Sequence, residues 1–165
     1  MIFHLNLLHL VLVIGAAAAV YFAVRENRGR LMRSARVYSL PLVALALSLI
    51  LLLFQLAAHQ PAWTFAVPFG LGLAGGAWRG ATMKLEVDQN WHLVRPTGRR
   101  VLFWVSLALP IAIGLEIAGA LVGPTGSPVR LAGAHLAILC TGLLVGRAAV
   151  LAVRLNWAPH VDLRR

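Results

Sequence analysis

Residues 40–58 read LPLVALALSLILLLFQLAA, a stretch without a charged side chain. An α-helix rises about 1.5 Å per residue, so a helix of this length crosses the hydrocarbon core of a bilayer, which is about 30 Å thick. Pro41 stands in its first turn, where the missing N–H leaves no hydrogen bond unmade. The stretch therefore predicts a transmembrane helix.

Further apolar runs of similar length fill most of the chain. The protein has 165 residues, 60% hydrophobic and 12% charged, whereas soluble domains are about 45–50% apolar and about 25% charged. We predict an all-α membrane protein, a single transmembrane domain over residues 1–165 with a bundle of about five helices. The predicted spans are 2–24, 40–59, 63–83, 101–122 and 129–153.

The distribution of basic residues predicts the orientation. With five spans, twelve Lys and Arg side chains fall on one side of the membrane and only Arg130 on the other. Because basic loops stay in the cytoplasm, the N-terminus is expected outside and the C-terminus inside. The twelve are Arg25, Arg28, Arg30, Arg33, Arg36, Lys84, Arg95, Arg99, Arg100, Arg154, Arg164 and Arg165.

The polar segment between helices three and four alternates polar and apolar residues. Residues 84–87 and 91–95 both alternate, and Asp88-Gln89-Asn90 between them is typical of a turn. This pattern predicts a short β-hairpin at the cytoplasmic surface. The alternative is an irregular loop with Trp91 at the membrane interface.

Glycines recur every fourth residue on helix three, at Gly72, Gly76 and Gly80, and again on helix five at Gly142 and Gly146. Such spacing puts small residues on one helix face and lets another backbone approach closely. The partner is expected to be either a helix of this chain or a helix of another protein.

Ionisable residues inside predicted spans are the candidate functional residues, since charges in lipid are costly. Glu116 and His135 lie at equal depth on neighbouring helices, and His9 lies at a comparable depth on helix one. They are expected to form either a structural hydrogen-bonded pair or a proton-linked or ligand site. Arg79 and Arg147, nearer the inner side, are expected either to snorkel or pair structurally, or to bind an anionic lipid or ligand.

The motifs of the sequence favour a protein without catalytic activity. The sequence contains no GxSxG or HExxH motif, and Gly70–Gly75, which fits GxGxxG by letter, lies in a predicted span. No metal site and no cofactor is expected. Haem ligation by His9 and His135 is an alternative. The net charge of +10 is explained by anionic lipid headgroups rather than nucleic acid.

The layout resembles the CcdC-like family of small bacterial membrane proteins. The similar features are a first helix ending in a basic loop, a second helix opening at Pro41, and a Gly-containing helix that runs into RGATMKLEV at residues 79–87, followed by Val94-Arg95-Pro96. The resemblance implies a multi-pass protein of the bacterial inner membrane, and the family is linked by name to cytochrome c biogenesis.

The small size and the glycine face together favour an accessory, assembly or scaffold subunit of a larger inner-membrane complex. That complex would be respiratory, photosynthetic or concerned with cytochrome c biogenesis. The expected partners are the bilayer and either another membrane protein or a second copy of the chain. The alternatives are a small proton-coupled transporter or channel using Glu116 and His135, and a haem-binding redox subunit.

Overall fold

The structure, a computed structural model, describes residues 7–28, 32–33, 37–88, 93–96, 99–122 and 127–161. It contains five helices and four short strands within these residues. In chain order they are α1 Leu7–Arg28, β1 Met32–Arg33, α2 Ser39–Ala57, α3 Trp63–Thr82, β2 Leu85–Asp88, β3 Leu93–Pro96, α4 Arg99–Val122, α5 Pro128–Leu155 and β4 His160–Val161.

Four of these helices contain a segment that is long and apolar enough to cross a membrane, at Leu7–Arg25, Ser39–Ala57, Phe103–Leu121 and Pro128–Leu155. They make the chain a multi-pass membrane protein. The third helix, α3, has 20 residues but lies outside this set, because five glycines, two tryptophans and Arg79 lower its mean hydropathy. The expected count of five spans therefore depends on α3.

The first helix differs most from its predicted bounds. It runs to Arg28, about one turn past the predicted end at Val24, so part of the expected basic loop is helical. Residues 2–6 of the predicted first span lie outside the described part of the chain. Beyond this helix, Met32–Arg33 pairs as a strand, which the sequence did not predict.

The strands gather at one end of the bundle, called here the sheet end. Their order is β1-β3-β2-β4, with β1 and β2 antiparallel to β3 and β4 parallel to β2. The register pairs Leu85 with Pro96 and Val87 with Val94. Residues 89–92, where the turn of the hairpin was expected, lie outside the described residues, so the hairpin connection stays a prediction.

A small apolar cluster attaches the sheet to the helices. Val37, Leu85, Val87 and Val94 pack with Leu151 of α5 and are almost fully buried. The sheet thus holds together three segments far apart in sequence: the α1–α2 connection, the α3–α4 connection and the segment after α5. The other end of the bundle, where residues 58–62 join α2 to α3, is called the loop end.

The last helix, α5, is the centre of the bundle. It packs against α3, α4 and α2, while α1 packs against α4 and α2. The contact of α5 with α3 is the most extensive, and α3 has extensive contact with no other helix within the described residues. The main core lies between α1, α2, α4 and α5 and includes Leu12, Leu51, Leu109 and Leu144.

The glycines of α3 and α5 lie in the interface between these two helices. A Cβ at Gly76 would lie 2.7 Å from the carbonyl carbon of Leu143, and one at Gly142 would lie 2.5 Å from the carbonyl oxygen of Phe69. Gly72, Gly80 and Gly146 likewise face the backbone of the other helix. Only glycine permits this approach, because the colliding atoms belong to the backbone and cannot rotate away.

We expect Gly76→Ala to destabilise the bundle by about 1–3 kcal/mol, the usual cost of overpacking a close contact. The matched control is Gly70→Ala, since a Cβ at Gly70 meets nothing within 4 Å in the described structure. Alanine favours helix over glycine, so the control should be neutral or slightly stabilising. Thermal unfolding in detergent measures both, and equal effects of the two variants would contradict the assigned interface.

Candidate functional site

A buried ion pair joins α4 and α5 near the loop end. The Nε of Arg130 donates to Oε1 of Glu116 at 2.7 Å, and its Nη2 donates to the same oxygen. Glu116 is completely buried and Arg130 is 4% exposed. A charged pair inside the membrane is stable only when both charges are desolvated together and hydrogen-bonded.

Two glycines make room for this ion pair. A Cβ at Gly119 would collide with the aliphatic stem of Arg130, and one at Gly133 would lie 2.7 Å from the carbonyl oxygen of Ala112. Gly119 therefore lets the long side chain of Arg130 pass along α4 to Glu116. Gly133 brings the two helices close together at the same level.

This arrangement corrects the expected pairing of Glu116 with His135. The Nδ1 of His135 lies 2.8 Å from the carbonyl oxygen of Leu131 on its own helix; because a carbonyl can only accept, this nitrogen carries the hydrogen. Its ring stacks on Phe65 of α3, with centroids 4.8 Å apart. The α-carbons of Glu116 and His135 were expected at equal depth, which predicted the wrong partner. The side chain of Arg130 is long enough to reach Glu116 from a different depth.

The third residue of the expected loop-end cluster, His9, is buried and stacks on Phe54 of α2, with centroids 5.4 Å apart. The two imidazoles thus pack against different phenylalanines on different helices. Haem ligation by His9 and His135 remains a prediction. Within the described residues, no three His, Cys, Asp or Glu side chains are grouped so that they could hold a metal ion.

A pair of hydroxyls links α2 to α5 in the middle of the membrane. The Oγ of Ser48 lies 2.6 Å from Oγ1 of Thr141 and 3.1 Å from the carbonyl oxygen of Ala137. The Oγ1 of Thr141 lies 3.0 Å from the carbonyl oxygen of Ala44. Each hydroxyl has one hydrogen, so two of these three contacts are hydrogen bonds at any moment. This link was not predicted, because single Ser and Thr residues in apolar runs give little signal.

An apolar groove opens beside the hydroxyl pair. Its volume is about 350 Å³. The walls come from α2 and α3, which both lie against α5 but hardly touch each other. The wall residues are Leu45, Leu49, Leu52, Phe65, Ala66 and Phe69, and Ser48 and Thr141 line the groove with them.

Arginines occupy the sheet end of the α3–α5 interface. Arg79 is half-buried and Arg147 is 5% exposed; the α-carbon of Arg147 packs against Gly80. Arg154, not among the expected site residues, donates to the carbonyl oxygens of Gly80 at 2.6 Å and Met83 at 2.7 Å. A cation at the C-terminal end of α3 satisfies the carbonyl of Gly80, which the helix leaves unpaired, and interacts favourably with the helix dipole.

Comparison with protein-family models, curated proteins and solved structures finds no match to this chain. The resemblance to the CcdC-like family therefore remains an expectation from the sequence layout.

We expect Arg130→Met to destabilise the protein by about 3 kcal/mol or more, because it leaves the carboxylate of Glu116 buried without its cation. The double variant Glu116→Leu/Arg130→Met should recover most of this loss, since both charges are removed together. Arg25→Met, at an exposed position, is the control and should change little. Unfolding in detergent measures all three; a double variant no more stable than the single one would refute a mutually dependent pair.

Proposed function

We propose that this chain is a non-enzymatic accessory, assembly or scaffold subunit of a larger bacterial inner-membrane complex, and that it docks through the lipid-facing side of α3. The first candidate for docking, the face of Gly72, Gly76 and Gly80, is occupied by α5. A neighbouring side of α3, mostly exposed, carries a second row of small residues, and this row supports the proposal.

The second row consists of Gly70, Ala74, Ala77 and Ala81. Their spacing of four, three and four residues places them on one face of the helix. Gly70, Ala74 and Ala81 are exposed and Ala77 is half-buried. A flat row of this kind accepts the ridge of a second transmembrane helix at short distance.

Lipid is a poor match for this face. Helices that face lipid expose large apolar side chains, as α2 does with Leu42, Leu49 and Leu53. Small residues give lipid chains little surface to contact, and α3 is the helix whose mean hydropathy excludes it from the candidate spans. A protein helix packed on this row would supply the missing van der Waals contacts. Among inner-membrane complexes, the layout resemblance favours one concerned with cytochrome c biogenesis, with respiratory and photosynthetic complexes as the alternatives.

Gly70→Leu tests the docking face. The leucine should leave the fold intact, because nothing in the described structure lies within 4 Å of a Cβ there, and should abolish co-purification of the partner in mild detergent. Gly114→Leu, on the exposed side of α4 with equally open surroundings, is the matched control and should retain the partner. Equal recovery of partners with both variants, or wild-type protein that purifies alone as a monomer, would refute the proposal.

We also propose five spans, with the sheet end in the cytoplasm and the N-terminus outside. Two observations support this topology. Trp63 and Trp78 lie about 22 Å apart along α3 by helical rise and are 71% and 75% exposed, as in aromatic belts at the two membrane interfaces. The sheet also joins strands from the three chain segments that carry the basic clusters, which supports placing these segments on the same side of the membrane.

Cysteine labelling tests this topology. In a Cys140→Ala background, Gln60→Cys at the loop end should react with a membrane-impermeant maleimide in spheroplasts. Lys84→Cys, just beyond α3, should react only after permeabilisation. Labelling of both positions without permeabilisation would show that α3 does not cross the membrane, and the reverse pattern would show the opposite orientation.

A further inference from the structure

The groove between α2 and α3 lies mainly in the half of the bundle at the loop end. It extends from Ala62 at the loop end, past the Ser48–Thr141 pair, to Leu45, about one helical turn further along α2. Ser48 is midway between the ends of α2, Ser39 and Ala57, and so lies about 14 Å from each at the α-helical rise. Leu45, the last lining residue on α2, lies about 18 Å from Ala57 at the same rise, and half of a hydrocarbon core is about 15 Å, so the groove is about as long as one leaflet is thick.

An occupant of the groove needs no polar group beside the Ser48–Thr141 pair. The hydroxyls of Ser48 and Thr141 are satisfied by each other and by the carbonyl oxygens of Ala137 and Ala44. The other lining residues are aliphatic or aromatic. An occupant therefore needs a hydrocarbon surface and no hydrogen-bonding group at this depth.

The volume of the groove matches a single hydrocarbon chain. An apolar protein cavity of about 150 Å³ accommodates benzene, with its six carbons. By the same proportion, about 350 Å³ holds roughly a dozen carbons. That is the size of one acyl chain within one leaflet. A transmembrane helix, about 10 Å across, would need a groove that continued past Leu45 to the sheet end.

We infer that this groove is a binding site for one acyl chain of a membrane lipid. The lipid belongs to the leaflet at the loop end, with its headgroup beside the α2–α3 connection and its terminal methyl near the Ser48–Thr141 pair. The chain contacts Leu45, Leu49 and Leu52 on one side and Phe65, Ala66 and Phe69 on the other. This site is separate from the docking face of α3, whose row begins at Gly70, after Phe69, the last residue of α3 that lines the groove.

Ala66→Phe tests the site by filling the groove from the α3 side. Ala66 is exposed, so the added ring does not disturb the core, and it takes the place of several methylenes of the bound chain. Ala118→Phe, at an exposed position of α4, is the matched control. Full-length protein reconstituted in vesicles of palmitoyl-oleoyl-phosphatidylcholine and then extracted in mild detergent is analysed by native mass spectrometry for retained phospholipid.

Wild type and Ala118→Phe should retain one phospholipid per chain, and Ala66→Phe should retain it about tenfold less, as the loss of two or more buried methylenes requires. Leu49→Phe fills the groove from the α2 side and should act in the same way, which keeps the test valid if Ala66→Phe unfolds. Equal retention by all four proteins, or no retained lipid in the wild type, overturns the inference. Loss of a co-purifying protein with Ala66→Phe, with the phospholipid retained, would assign the groove to a partner helix.

Discussion

The close approach of α3 to α5 is the contact on which the arrangement of the bundle depends. Backbone meets backbone along Gly72, Gly76 and Gly80 of one helix and Gly142 and Gly146 of the other. In lipid, helices gain nothing from burying apolar side chains against each other rather than against acyl chains, so shape and close packing decide which helices associate. Without this contact α3 would have no extensive interface in the described fold.

The central helix uses a different interaction for each neighbour. It holds α3 by glycine packing and by Arg154, which binds the last carbonyls of that helix. It holds α4 through the Glu116–Arg130 ion pair and α2 through the Ser48–Thr141 hydroxyls. The ion pair lies near the loop end, the hydroxyl pair lies in the middle of the bundle, and the Arg154 contact lies near the sheet end. Each contact fixes the register of one helix, because a polar group in hydrocarbon has few other partners.

The same arrangement leaves one helix half uncovered. Because α3 lies on the outside of α5 and apart from α2, it presents a small-residue row to the membrane and forms one wall of an apolar groove. The Glu116–Arg130 and Ser48–Thr141 contacts each join two helices of the bundle.

The sequence by itself determined the membrane class and the positions of the described helices to within a few residues, since these follow from local hydropathy. The glycine spacing also marked the residues of the α3–α5 interface, because a four-residue period needs only the geometry of one helix. The tertiary structure alone decided that Glu116 binds Arg130 rather than His135, since the reach of a side chain and the gap at Gly119 depend on how two helices pack. It also decided that Met32–Arg33 and His160–Val161 join the sheet, because two-residue strands carry no periodic signal and form only where a neighbouring strand offers its hydrogen bonds.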